Sequence, residues 1–252
     1  LRADGLDFTA NANGSAISPD GWLIYVHHVG GRADYLSARA INPTDPKDKS
    51  RNLPGNKHLY RADVRGDTGL ILVEGQANAE SWRQLGFSSW ALCGTALTDY
   101  DVIAIRNRKP VTIMFDMDDT GSKRTLDVAR AIGPLVMIAP SLIDNLNDMN
   151  DWLKRNVTAK DAEAYLKRST SFVDVLIKLA QDLPPYEIEE HISEIAKMIA
   201  VLPDTLQGRY IKRAASILDI SQTDIKTRMK QSDATDSNYS FSEIRSGMLT
   251  FK

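Results

Sequence analysis

Short apolar runs leading into acidic residues constrain this chain more than any other feature. Leu70-Ile71-Leu72-Val73 runs directly into Glu74 and Gly75, and Val111–Phe115 runs into Asp116 and Asp118. Leu135–Ala139 is followed a few residues later by Asp148, Asn150 and Asp151. Apolar runs this short read as strands buried on both faces, as parallel sheets use them. Ser89–Leu92 reads as a further strand. Ala79–Leu85 and Thr120–Ile132 read as helices, the second with Leu126, Val128 and Ala129 on its apolar side. Strand–helix–strand alternation implies a parallel sheet flanked by helices, so residues 68–157 are assigned to the α/β class.

The flanks differ in texture. Residues 1–67 are rich in Gly, Pro and Asn, with short apolar runs such as Trp22–Val26, and are expected to form an α+β subdomain of strands and turns. Residues 158–231 are expected to be all-α. Ile188, Ile192, Ile195, Ile199 and Leu202 recur at helical steps between Pro184-Pro185 and Pro203. Phe172, Val175, Leu176 and Leu179 mark another helix, Ile211, Ala214, Ala215 and Leu218 a third, and Ser221 suits the N-cap of a last one. Residues 232–252 read as a linker or the start of a further domain. The chain begins at Leu1 rather than Met without a signal-peptide pattern, and reads as a piece of a longer protein. One cysteine, Cys93, excludes an internal disulfide framework or zinc–cysteine cluster and fits a reducing, cytoplasmic setting, with Cys93 as a small core residue. No run approaches the ~20 apolar residues needed to span a bilayer, so no membrane partner is expected.

Acids at the C-terminal ends of several parallel strands lie where open α/β sheets bind ligands. Asp116 and Asp118, two apart on an extended segment, point the same way and can converge on one cation. Carboxylates so close repel and raise one another's pKa. A bound Mg²⁺ or Mn²⁺ removes that repulsion and suits phosphoryl transfer. The same residues also serve turns and caps, and Asp119 or Thr120 suits the N-cap of the following helix equally well.

Four segments, in order, resemble the Toprim domain of DnaG-type primases, a domain shared with type IA and type II topoisomerases and OLD-family nucleases. They are Val73-Glu74-Gly75, Leu92-Cys93-Gly94-Thr95-Ala96-Leu97-Thr98, Phe115-Asp116-Met117-Asp118-Asp119-Thr120-Gly121 and Asp148-Met149-Asn150-Asp151-Trp152-Leu153. Tyr35–Ile41, Ser50–Gly55 and Lys57–Tyr60 are similar to the basic subdomain that precedes Toprim in primases. Gly208-Arg209-Tyr210 and Ala214–Ile220 are similar to the helical one that follows it. The resemblance implies DNA-templated synthesis of RNA primers from ribonucleoside triphosphates on single-stranded DNA. It implies Glu74, Asp116 and Asp118 as catalytic residues, and Asp116, Asp118, Asp148 and Asn150 as holders of Mg²⁺ or Mn²⁺. Gly75, Gly94, Thr95 and Gly121 would shape the motif backbone. It also implies a zinc module lying outside this chain, and the truncated-looking C-terminal end suggests a replicative helicase, fused or separate, as partner. Asn78 and Asn150 depart from the family pattern, which usually has aspartate at the first position and often at the second, although some phage-type primases carry a similar Asp-x-Asn-Asp run. Asparagine ligates through its carbonyl oxygen but brings no charge.

The chain's formal net charge is -2, yet residues 32–65 hold eight basic and four acidic residues. A template strand and triphosphates need such a surface. By resemblance Arg39, Lys49, Arg51 and Lys57 are expected to bind them, and Lys123, with Arg124 beside it, suits triphosphate. His58, Tyr60, Tyr35 and Trp22 offer stacking faces. His27 and His28 are adjacent and would face opposite ways in a strand, which is poor metal geometry. A Toprim nuclease and a nucleic-acid-binding module with a decayed site are the alternative functions.

Overall fold

The computed structural model describes residues 2–3, 6–7, 21–29, 31–45, 47, 49–55, 57–115, 119–142 and 149–235. The chain divides into two compact units, Leu1–Thr125 with Ser141–Lys167, and Leu126–Pro140 with Arg168–Lys252.

In the first unit, β1 (Arg2–Ala3) and β2 (Leu6–Asp7) form a small antiparallel pair. An antiparallel sheet follows, ordered β3 (Trp22–Val29), β4 (Arg32–Ala40) and β5 (Ser50–Asn52). The same unit holds β6 (Tyr60–Ala62), β7 (Leu70–Val73), β8 (Ser89–Ala91) and β9 (Val111–Ile113) in the order β9-β7-β8-β6. β7 runs parallel to β8 and β9, while β6 is antiparallel to β8. Every residue of β7, β8 and β9 is buried, as the unbroken apolar run of β7 requires, and β9 buries Thr112 between Val111 and Ile113.

Helix α1 (Gln76–Gln84) joins β7 to β8, and α2 (Asp99–Arg106) joins β8 to β9. The start of α2 is fixed by a reciprocal capping box: Thr98 Oγ1 accepts from the Asp101 N–H at 3.2 Å, and the Asp101 carboxylate accepts from the Thr98 N–H at 3.1 Å. α3 (Asp119–Ile132) follows β9 and continues into the second unit. α4 (Met149–Leu153) and α5 (Ala159–Leu166) complete the first unit. Fully buried Trp82 of α1 packs edge-on against Phe87 and faces Tyr165 of α5, which Trp152 of α4 also meets edge-on. The fold class is therefore the expected α/β, a parallel sheet flanked by helices.

The second unit pairs β10 (Val136–Ile138) with β11 (Thr170–Ser171), antiparallel, and continues as helices α6 (Phe172–Gln181), α7 (Pro185–Ala200), α8 (Asp204–Leu218) and α9 (Gln222–Thr235). Ile192, Ile195, Ile199 and Leu202 form the buried stripe of the α7 region, as their spacing requires. Ser221 Oγ accepts from the Asp224 N–H at 3.0 Å and caps α9. No helix among the described residues is long and apolar enough to cross a membrane.

Candidate active site

The C-terminal edge of the parallel strands carries the motif residues that the structure describes. Glu74 follows β7 and is half-buried; its backbone carbonyl accepts from the Cys93 N–H at 2.8 Å, one step after Leu92 N–H meets Val73 O at 3.0 Å. The sheet ladder thus runs past both strands and holds Glu74 beside the loop after β8. That loop closes through Thr95 N–H to Leu92 O at 2.9 Å, with Cys93 at φ 56° and Gly94 at φ 81°. Two left-handed central residues make a type I′ turn. Glycine adopts that backbone freely, whereas at Cys93 it costs about 1 kcal/mol or more. Burial pushes the Cys93 thiol up to about 11, against the opposing charges of Lys57 and Arg124 and the Tyr60 N–H. Arg124 reaches this turn, donating to the Thr95 carbonyl at 3.3 Å.

Gly75 is the N-cap of α1, in extended conformation, with open space where a Cβ would stand, and its carbonyl accepts from the Ala79 N–H at 3.2 Å. Asn78, in the first turn of α1, has a buried Oδ1 without a hydrogen-bond partner among the described residues. One turn on, Ser81 Oγ lies 2.9 Å from the Ala77 carbonyl and 3.0 Å from Asn150 Oδ1. One hydroxyl proton cannot serve two acceptors. Turning the Asn150 amide by half a rotation resolves the conflict: its N–H donates to Ser81 Oγ, Ser81 donates to Ala77, and Asn150 Oδ1 is left open. An aspartate cannot donate in this way, so the Ser81 contact favours asparagine at 150.

Asp116, Asp118 and Asp148 lie outside the described residues. Gly121 is buried in the first half of α3 and accepts from Thr125 Oγ1 at 2.8 Å, while Lys123 is exposed. Lys57 is half-buried and directly precedes His58, whose carbonyl accepts from His27. The strand register sets Arg51 opposite Ala38 and Arg39 opposite Ser50, which puts Arg39 and Arg51 on opposite faces of the β3-β4-β5 sheet. Lys49 is exposed and its carbonyl accepts from the Ala40 N–H at 2.9 Å, beside the Arg51 side of that sheet.

Two expected stacking faces are corrected. Tyr35 and Tyr60 are buried, both edge-on to His27, and their hydroxyls donate to the Leu53 carbonyl at 2.7 Å and to Glu80 Oε1 at 2.5 Å. β3 and β4 pair Tyr35 directly against His27, and Tyr60 of β6 also meets Tyr25 edge-on. His27 is fully buried and anchors a directed chain. Its Nδ1–H donates to His58 O at 2.8 Å, and its Nε2 accepts from Ser37 Oγ at 3.0 Å. Ser37 Oγ in turn accepts from Gln76 Nε2 at 2.9 Å, which ties the antiparallel sheet to the residue two places after Glu74. Ser81 and Gln76 carry no site signal in the sequence, and Ser37 stands there only within the Tyr35–Ile41 segment. Arg124 was signalled, since it shares the buried helical phase of Gly121 and Val128 whereas Lys123 does not.

No family model matches the chain, and no curated protein matches it. Among solved structures, its fold is that of DnaG-type primase catalytic cores. It is similar to a DNA primase domain from Pseudomonas aeruginosa, with a TM-score of 0.61 and 17% identity over 88% of this chain and 76% of that one. It is likewise similar to a DnaG primase catalytic domain bound to ssDNA, at 0.62 and 20% identity over 81% and 71%. The Aquifex aeolicus primase structure, with zinc-binding and RNA polymerase domains, matches at 0.56 and 19% identity over 79% of this chain, which spans about half (52%) of that one.

Proposed function

We propose that this chain synthesises short RNA primers on single-stranded DNA by metal-dependent nucleotidyl transfer. The observation that carries the reading is the placement of Glu74 beside the Cys93–Gly94 turn at the C-terminal edge of parallel strands, within a primase-core fold. The ssDNA on a structural neighbour supports single-stranded DNA as template. The described donors are all oxygens, and Asn78 Oδ1 is a buried acceptor left over. Such a set fits a hard cation, Mg²⁺ or Mn²⁺. Asp116, Asp118, Asp148 and Asn150 would hold it, with the Asn78 oxygen in reserve. Bound there, the cation supplies charge neutralisation to the triphosphate.

In the proposed reaction, the primer 3′-hydroxyl attacks the α-phosphate of the incoming ribonucleotide. One phosphorus–oxygen bond forms, one breaks, and pyrophosphate leaves. Glu74 would receive the hydroxyl proton, while Lys57 and Arg124 would hold negative charge on the triphosphate. Catalysis rests on positioning and charge. A replicative helicase, fused or separate, is the proposed partner in the cell.

The test is incorporation of labelled ribonucleotides on single-stranded DNA, with and without a pre-annealed primer, for wild type and Asp116→Ala. Products should fall at least ~100-fold in the variant, as loss of a principal charge-stabilising group does. Silence of the wild type on the annealed primer, together with absence of Mn²⁺ binding, would overturn the enzyme reading in favour of a binding module. Strand cutting without triphosphates would favour a nuclease.

A further inference from the structure

Helix α8 presents two faces. Ile211, Ala214 and Leu218 are buried, and on another side Thr205, Gly208, Arg209, Lys212 and Arg213 line an open cleft of about 670 Å³. Three features of that stripe have no explanation within the protein. First, Arg209, Lys212 and Arg213 stand at helical steps of three and four, where like charges repel and weaken the helix. Second, only Arg213 has a counter-charge, Asp174, at 3.0 Å; Arg209 and Lys212 have none among the described residues. Third, Gly208 occupies the helix interior, where glycine weakens a helix relative to alanine. It has no left-handed backbone to require it, and a Cβ there would meet nothing within 4 Å. Neither conformation nor packing asks for glycine. A ligand lying against the helix backbone would.

We infer that this stripe binds the sugar–phosphate backbone of a nucleic-acid strand, independently of sequence. The inference rests on the reading above that nucleic acid is this protein's partner. Two unneutralised cations spaced along a helix face complement a chain of phosphates, and a bare backbone at Gly208 allows the sugar–phosphate to lie close. From Thr205 to Arg213 the stripe rises about 12 Å, which is longer than one phosphate group and suits a strand running along the helix.

The experiment is binding of an oligothymidylate to the whole chain, read by fluorescence anisotropy across a salt series without triphosphates or divalent cations. Removing two phosphate contacts with Arg209→Gln/Lys212→Gln should lower the slope of log affinity against log salt by about 1.4. The same loss of charge in Lys226→Gln/Lys230→Gln, on exposed positions of α9, should leave that slope near the wild-type value. Gly208→Leu should raise the thermal midpoint while weakening binding, an effect that a folding defect cannot produce. Equal slopes for the two double variants, or no oligonucleotide binding by wild type at low salt, would overturn the inference. Tripolyphosphate competing as well as oligothymidylate at equal phosphate concentration would also overturn it, in favour of a small-anion site. Because primer synthesis is not the readout, a chain that makes no primers can still uphold this site, and one that makes them with its slope unchanged refutes this site alone.

Discussion

The two edges of the parallel strands in the first unit differ in how their polar groups are satisfied. At the N-terminal edge, Asp67 accepts from the Gly69 N–H at 3.0 Å and the Ser88 N–H at 2.7 Å, and Ser88 Oγ accepts from the Val64 N–H at 2.9 Å. Asp63 accepts from Trp90 Nε1 and from Arg108, both at 2.9 Å, and Arg108 also donates to the carbonyls of Thr68, Asp67 and Gly69. The C-terminal edge instead carries a non-glycine residue in left-handed conformation at Cys93 and an orphaned oxygen on Asn78. Buried polar groups are normally paired, and strain persists where the surroundings hold it in place. One edge is built to hold the sheet together; the other leaves an acceptor unpaired among the described residues.

The largest effect expected from this contrast is at the satisfied edge. Arg108→Met removes the hydrogen bonds to three carbonyls and the ion pair with Asp63, which keeps its bond from Trp90, and should cost about 2 kcal/mol of stability in urea unfolding, with Mn²⁺ binding unchanged. At the other edge the sign reverses. Asn78→Leu removes an unpaired acceptor and favours the helix, so it should gain about 1 kcal/mol while weakening Mn²⁺ binding several-fold. A loss of stability in Asn78→Leu would mean that the oxygen already has a partner, and the contrast between the edges would break.

The chain through His27 sharpens the comparison, because it is satisfied in only one protonation state. Burial, with Lys57 and His58 adding to it, holds the His27 pKa below its ordinary 6.5. The unfolded chain therefore binds a proton as pH falls through 6.5 while the folded chain resists it. Stability is full above that value and declines as pH drops towards the folded pKa. His27→Phe keeps a ring between Tyr35 and Tyr60 and should flatten this decline, measured as the urea midpoint between neutral and mildly acidic pH.

What the sequence revealed follows the range over which each feature is encoded. β7 and the α7 stripe were legible because burial on both faces, or on one helical face, writes itself into a few consecutive residues. α2 was not anticipated, since Val102, Ile103 and Ile105 make no clear helical face. Its start was nonetheless encoded, in the Thr98-x-x-Asp101 capping pair. The acidic pattern pointed to the strand edge, where the structure places Glu74, whereas Asp116, Asp118 and Asp148 lie outside the described residues. The enclosure of Tyr35 and Tyr60 depends on long-range register, as does the separation of Arg39 from Arg51 by a sheet face, and spacing along one strand carries neither. An orphaned oxygen is a statement about what surrounds an atom, so the Asn78 side chain could be singled out only once the fold was in hand.

The smallest expected effect tests the strain itself. In Cys93→Gly the left-handed penalty of about 1–2 kcal/mol disappears. Against it stand the greater freedom of glycine in the unfolded chain, about 0.4–1 kcal/mol, and the loss of a small, half-buried thiol. The terms nearly cancel, so a change within about 1 kcal/mol is expected, measured by urea unfolding. A loss well beyond that would assign the Cys93 side chain a packing role that outweighs the strain. The turn would then belong with the satisfied edge, held by its own contacts, and only Asn78 would remain to mark the C-terminal edge as different.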